Sequence, residues 1–197
     1  MDDRAHLDPP APLAAILART DALAFPMPSE PRTGALLRTL AASKPGGQLL
    51  ELGTGTGLST AWLLDGMDST ATLITVDSDP TAQQIARDVL GRHPRLTIVT
   101  EDGAAFLHAQ KPESFDLIFA DTWPGKFDHL DDALALLKPG GLYVIDDMLP
   151  QDNWPEHHAP KVPALIATLA AKPGFRMVGM AWSSGIVVLA RSDLNSS

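Results

Sequence analysis

The sequence predicts an α/β fold built on a mostly parallel, doubly wound sheet. Three observations carry that expectation. Short apolar runs alternate with segments of helical periodicity from residue 48 to residue 171. A glycine-rich turn, Gly53-Thr54-Gly55-Thr56-Gly57, follows the first apolar run. Five successive runs end in acid, at Glu51, Asp77, Asp102, Asp121 and the pair Asp146-Asp147. Such alternation puts helices on both faces of a parallel sheet, and right-handed crossovers bring the strand C-termini to one edge. One acid at a strand end is equally well explained as a helix cap; five in register mark that edge as functional.

Residues 1–12 read as a loose arm. Leu13–Phe25 carries apolar residues at 13, 16, 17, 23 and 25, which predicts a helix. Pro26, Pro28 and Pro31 end it, and a second helix is expected from about Thr33 to Ser43. Lys44-Pro45-Gly46-Gly47 turns the chain into a strand, Gln48–Leu52. A helix bearing Leu58, Ala61, Trp62 and Leu64 leads to a strand at Thr72–Val76. Asp79 followed by Pro80 starts the next helix, whose Ala82, Ile85, Ala86, Val89 and Leu90 make a buried stripe. Leu96–Val99 is the third strand and Ala104–Ala109 a short helix; Phe115–Ala120 is apolar on both faces, as a central parallel strand should be. A helix is expected over Asp128–Leu137, a second Lys-Pro-Gly-Gly turn at 138–141 and a strand at Leu142–Ile145. After a polar loop at 148–160 comes a helix, Val162–Ala171. Phe175–Ala181 and Gly185–Ala190, parted by Trp182-Ser183-Ser184, form an expected antiparallel pair.

A chain of 197 residues, 45% apolar and 20% charged, suits one domain with a full core. Residues 1–44 would be a helical arm or lid and 45–191 the ligand-binding core. A formal charge of −9 argues against a nucleic-acid backbone as partner. The absence of cysteine excludes a disulfide framework, a thiolate metal site and a Cys nucleophile. No apolar run is long enough for a bilayer, and the acidic, proline-rich start is unlike a signal peptide, so a cytoplasmic protein with no membrane partner is expected. The N-terminal helices are placed either to lid the site or to pair two subunits as a homodimer.

The turn after the first strand is where an α/β sheet offers backbone N–H groups to a nucleotide-like ligand. The dinucleotide fingerprint G-x-G-x-x-G is not met, because the spacing is G-x-G-x-G and Leu58 falls where the third glycine would be. A further wall of carboxylates suits a cationic ligand better than a pyrophosphate. The ordered set ELGTGTG, TVDSDP, TEDGAAFL, FDLIFAD and LKPGGLYVIDD resembles the successive motifs of class I S-adenosylmethionine-dependent methyltransferases. Its order is similar to that of the small-molecule O-methyltransferases of the catechol O-methyltransferase type, over roughly Met27 to Arg191. The resemblance implies a Rossmann-like, seven-stranded sheet ending in an antiparallel hairpin. It further implies S-adenosyl-L-methionine as cofactor and methyl transfer to a hydroxyl of a small, aromatic molecule.

Residue roles follow from the same resemblance. Gly53, Thr54, Gly55 and Gly57 would pack against the methionine part of the cofactor, and Glu51 would orient its ammonium group. Asp77 would hold the ribose hydroxyls with Ser78 beside the adenine, and Asp102 and Gly103 would meet the adenine edge. Met27 and Ser29 match the segment that closes over the cofactor. Ser59 would either bind the cofactor carboxylate or cap its helix. Asp121, Asp146 and Asp147 stand where the family holds a divalent ion that lowers the pKa of the acceptor hydroxyl; all-oxygen ligation suits Mg²⁺, Mn²⁺ or Ca²⁺. Asp121 has a second candidate task at the cofactor ammonium group.

Lys126 is the candidate base, although it follows Asp121 by five residues where the family's lysine follows by three, and Asp147 stands where the family often has Asn. Three converging carboxylates need either an ion or Lys126 to offset their repulsion. His129, expected just inside a helix, and His157 and His158 are alternative bases. Trp123 and Trp154 either wall the acceptor or cover the core, while Trp62 and Trp182 read as core. The competing readings are a metal-independent methyltransferase acting on a carboxylate or amine, and a non-catalytic protein that only binds the cofactor.

Overall fold

The computed structural model describes residues 2–5, 7–154 and 157–192; residues 1 and 6 of the expected arm, and 155 and 156 of the expected loop, lie outside them. Seven strands form one sheet: β1 (Gln48–Leu52), β2 (Thr72–Asp77), β3 (Leu96–Thr100), β4 (Phe115–Ala120), β5 (Leu137–Ile145), β6 (Phe175–Met180) and β7 (Ile186–Arg191). Their order is β3-β2-β1-β4-β5-β7-β6. Strands β1 to β5 are parallel, and β7 is antiparallel to both β5 and β6. This is the architecture the sequence predicted, hairpin included. The chain direction across the sheet reverses between β1 and β4, and in open α/β sheets that switch point is where ligands bind, beyond the strand C-termini.

Both faces are covered because alternate strand residues are apolar. Leu117 and Phe119 of β4 join Leu49 and Leu73 in the core beneath α1 (Leu13–Leu23), α2 (Pro31–Ala42), α3 (Leu58–Gly66) and α4 (Pro80–Leu90), which contribute Ile16, Leu37, Trp62 and Ile85. Ile118 and Ala120 face the opposite core with Leu50, Leu52 and Tyr143, under α5 (Gly103–Ala109), α6 (Leu130–Ala135) and α7 (Lys161–Ala170). Asp79 caps α4 as expected, its carboxylate accepting the N–H groups of Thr81 and Ala82.

Three expectations are corrected. The arm is not loose: Arg38 donates to the carbonyls of Leu7 and Asp8, and Asp3 accepts from Arg32 and from the Trp182 indole. Trp182 is half-buried, packed on the edge of the core while its indole holds the arm, whereas Trp62 is fully core. The second Lys-Pro-Gly-Gly stretch lies within β5 as a bulge, since Leu137 pairs with Phe115 and the next pair is Leu142 with Leu117. Helix α6 starts at Leu130 instead of Asp128, because the chain before it folds back on one carbonyl. The N–H groups of Lys126, Phe127 and Asp128 all donate to Trp123 O, at 3.0, 3.0 and 3.1 Å.

Candidate active site

The glycine loop leaves β1 at the crevice and is held from β2. The N–H groups of Gly53 and Thr54 donate to Val76 O at 2.8 and 3.3 Å, and Gly55 N–H donates to Asp77 Oδ2 at 2.8 Å. A Cβ at Gly53 would lie 2.9 Å from the Asp121 carbonyl oxygen, so glycine lets the loop close against the end of β4. The result is a cavity of about 180 Å³. Gly53, Thr54, Gly55 and Asp77 line one wall and Asp121, Thr122 and Asp147 another, with Phe25, Met27, Pro28 and Ser29 across the mouth. That last segment is tied down on the carboxylate side: Ser29 donates to Asp121 Oδ2 at 3.3 Å, and Asn153 donates to Pro26 O at 2.8 Å.

Glu51 is not in the cavity wall. It lies beneath the loop, wholly buried, because the alternation of β1 turns it toward α3 and its register partner on β2 is Thr75. Thr60 and Thr75 donate to its Oε2 at 2.5 and 2.6 Å, while Oε1 has no partner among the described residues. Burial pushes its carboxyl up to about 7, against the opposing pull of the Ser59, Thr60 and Thr75 hydroxyls. Glu51 thus ties β1 to α3 and β2 from beneath the loop, and it is not among the cavity's lining residues. Thr54 also points inward, its hydroxyl bonded to Thr75 and Gln83, so only its backbone faces the cavity. Ser59 is buried at the start of α3. Ser78, Asp102 and Gly103 are not among the cavity's lining residues, and Asp102 caps α5 through Ala105 N–H at 3.0 Å.

On the other wall the carboxylates gather. Burial, followed by the charges of Asp146 and Asp147, raises the Asp121 carboxyl well above the usual range, with Lys126 opposing. Asp146 is pushed to about 6 by burial and Asp147, while the hydroxyl of Ser184 and the backbone N–H of Asp147 pull it down. Lys126 is 2% exposed, turned inward by the Pro124-Gly125 bend, and burial lowers its ammonium pKa against the attraction of Asp121, Asp147 and Asp146. No acceptor among the described residues lies within hydrogen-bonding distance of its Nζ, which sits 5.4 Å from the Phe127 ring centre. Tyr143, buried in the sheet, donates to Gly125 O at 2.5 Å and fixes the bend.

The carboxylates fit a hard divalent cation in donor type, since Asp121, Asp146 and Asp147 line one small cavity together. Asp146 Oδ2, Asp121 Oδ1 and both Asp147 oxygens carry no hydrogen bond from the described residues. They are not drawn into a closed cluster: their oxygens do not all approach within 4.8 Å of one another.

The alternative bases separate. His129 caps α6 in the left-handed region instead of lying inside the helix, with Nδ1 3.0 Å from Asp132. His157 is exposed. His158 is buried, stacks on Trp154 at 4.2 Å and donates through Nε2 to Asp147 O at 3.3 Å. Burial and nearby Lys126 lower its imidazole pKa. Trp123 lies under Lys161 at 4.3 Å and edge-on to Phe127. Sequence reasoning missed Phe25, Ser184, Tyr143 and Gln83; Tyr143 lies inside the LKPGGLYVIDD stretch and the other three in no motif, and only tertiary contacts identify the roles of all four.

Comparison with known proteins gives the family and confirms the fold. Residues 50–148 match the methyltransferase-domain family profile, about half of the chain, and the chain belongs to that family. The resemblance to class I S-adenosylmethionine-dependent methyltransferases therefore holds. An inferred O-methyltransferase from Mycolicibacterium vanbaalenii is 36% identical over 120 residues, 58% of this chain and 53% of the relative. The match thus spans about half the length of the curated relatives. Among solved structures, a Corynebacterium glutamicum protein superposes with a TM-score of 0.82 at 21% identity, covering 96% of this chain and 94% of the other. An O-methyltransferase from Bacillus cereus in complex with SAH superposes at 0.79 with 23% identity, covering 92% and 91%. Likeness at that identity establishes the fold.

Proposed function

We propose that this chain is an S-adenosylmethionine-dependent O-methyltransferase acting on a hydroxyl of a small aromatic molecule. One observation carries the reading: the cavity at the β1/β4 crevice sets a glycine loop and Asp77 against two carboxylates, while the buried Lys126 lines a second cavity with Phe127 and His129. SAH, the demethylated form of that cofactor, is bound in the Bacillus relative, which supports the choice of ligand. S-adenosylmethionine supplies a methyl group already activated on a sulfonium. The chain's task is to align an acceptor oxygen with it and to remove the acceptor's proton.

In this reading the loop N–H groups meet the amino-acid end of the cofactor, Asp77 the ribose, and Asp121 the ammonium group, which Glu51 is too deep to touch. Ser78, Asp102 and Gly103 stand toward the β2–β3 end of the same edge and would meet the adenine. Residues 25–29 act as the lid. Lys126, made easier to deprotonate by burial, takes the proton as the acceptor oxygen attacks and the methyl–sulfur bond breaks. Trp154 and Phe127, packed on His158 beside Lys126, supply the aromatic wall that favours a flat acceptor. Asp121, Asp146 and Asp147 would hold a divalent ion, Mg²⁺ by donor hardness, which would lower the pKa of the acceptor hydroxyl.

Calorimetric titration with S-adenosylmethionine, with and without Mg²⁺, on wild type and Asp146→Ala tests this directly. Binding to wild type is expected, together with methylation of a catechol-type acceptor. Saturable NAD binding without S-adenosylmethionine binding would overturn the reading. Turnover unchanged under EDTA would remove the ion and leave Lys126 as the sole activating group.

A further inference from the structure

We propose that His108, His129 and Asp132 form a second cation site, one that takes a first-row transition ion of the Zn²⁺ class. Among the described residues they are the one set of three His or acidic side chains whose ligand atoms all lie within 4.8 Å of one another. His108 Nε2 stands 3.1 Å and His129 Nδ1 3.0 Å from the same oxygen, Asp132 Oδ2. Two donors bound about 2.1 Å from one ion at octahedral or tetrahedral angles stand roughly 3.0–3.4 Å apart, so these separations are already those of a coordination shell. The rings meet edge-on, 5.0 Å between centres at 78°, without stacking, and both nitrogens address the same Asp132 oxygen.

The ligand chemistry discriminates this site from the carboxylate cavity. Two imidazoles and one carboxylate suit Zn²⁺, Ni²⁺ or Cu²⁺, whereas an all-carboxylate set suits Mg²⁺. For coordination each imidazole carries its proton on the other nitrogen, His108 Nδ1 and His129 Nε2, and neither has a protein partner among the described residues. The side chains are 56%, 37% and 46% exposed for His108, His129 and Asp132, so an ion has an open approach and room for water at its remaining positions. The three residues also come from two places: His108 from the last turn of α5, and His129 and Asp132 from the start of α6. A bound ion therefore staples α5 to the end of the loop that carries Lys126.

Titration of the metal-free 197-residue chain with ZnCl₂ in excess MgCl₂, followed by calorimetry and by the visible absorption of Co²⁺ put in its place, tests the site. One equivalent is expected to bind to wild type, with affinity at least tenfold weaker in His108→Ala and in Asp132→Asn. His129→Asn, which tolerates the left-handed backbone but lacks the imidazole, should weaken it to the same degree. Zn²⁺ binding undiminished in His108→Ala and Asp132→Asn, or no binding to wild type, would overturn the proposal.

Discussion

Tyr143, near the C-terminal end of β5, donates its hydroxyl to the carbonyl of Gly125, in the bend that turns Lys126 inward. A residue with no exposure in the sheet core is thereby linked to the one loop whose conformation decides where the candidate base points. The fit is close. Gly125 has φ +89°, and a Cβ there would lie 2.5 Å from Leu52 Cδ1 and 2.8 Å from the Tyr143 oxygen.

Tyr143→Phe removes that donor and leaves a buried carbonyl unpaired, which costs about 1–3 kcal/mol. The melting temperature should fall by several degrees. If the bond positions the loop, kcat should fall while S-adenosylmethionine affinity, measured by calorimetry, holds. An equal loss in both would show that the bond serves the fold alone.

The sheet and its acidic edge were legible in the sequence because both rest on local patterning: apolar runs of strand length, and acids and glycines at their ends. Asp79 capping α4 is read from two adjacent residues. The depth of Glu51 was not legible. Its position in the motif is the same whether it faces a ligand or a helix, and only the register of β1 against Thr75 of β2 decides. Lys126 was left open for the same reason, since a bend through Pro124-Gly125 can turn a side chain either way and Tyr143, 18 residues on, settles it. The pairing of His108 with His129 needed α5 and α6 in place.

Lys126→Met should lower kcat by about 10²–10⁴-fold, the usual contribution of a positioned base, with cofactor affinity little changed. Arginine should not rescue it, because a guanidinium stays protonated. In wild type, activity should rise with pH as the buried ammonium, already easier to deprotonate than an exposed lysine, gives up its proton. A wild-type pH–rate profile retained in Lys126→Met would assign the base elsewhere, with His158 the next candidate.

Glu51 should make the ligand-free protein less stable as pH rises. Its folded value of about 7 lies above the ordinary 4.5, so the folded state holds a proton that the unfolded state releases. The contribution is fully present below 4.5 and lost as pH rises through 7; the two values imply on the order of 3 kcal/mol. Asp146, also raised, adds a slope of the same sign. Glu51→Gln should therefore flatten, without abolishing, the decline in denaturation free energy between pH 5 and about pH 8. Identical slopes in the two proteins would mean Glu51 is ionised throughout.

Gly57 tests why the loop carries its third glycine where it does. Its φ is +95°, and a Cβ would lie 2.8 Å from the Cβ of Ala86 on α4. Gly57→Ala thus meets two penalties, a left-handed backbone at about 1–2 kcal/mol and overpacking at about 1–3 kcal/mol. Only the second depends on Ala86. Adding Ala86→Gly relieves the contact while weakening α4 by about 1 kcal/mol on its own. In a double-mutant cycle the pair should therefore be less destabilised than the sum of the single variants, with S-adenosylmethionine affinity partly restored. Strict additivity would mean that α4 yields to the extra methyl and that backbone conformation alone demands the glycine.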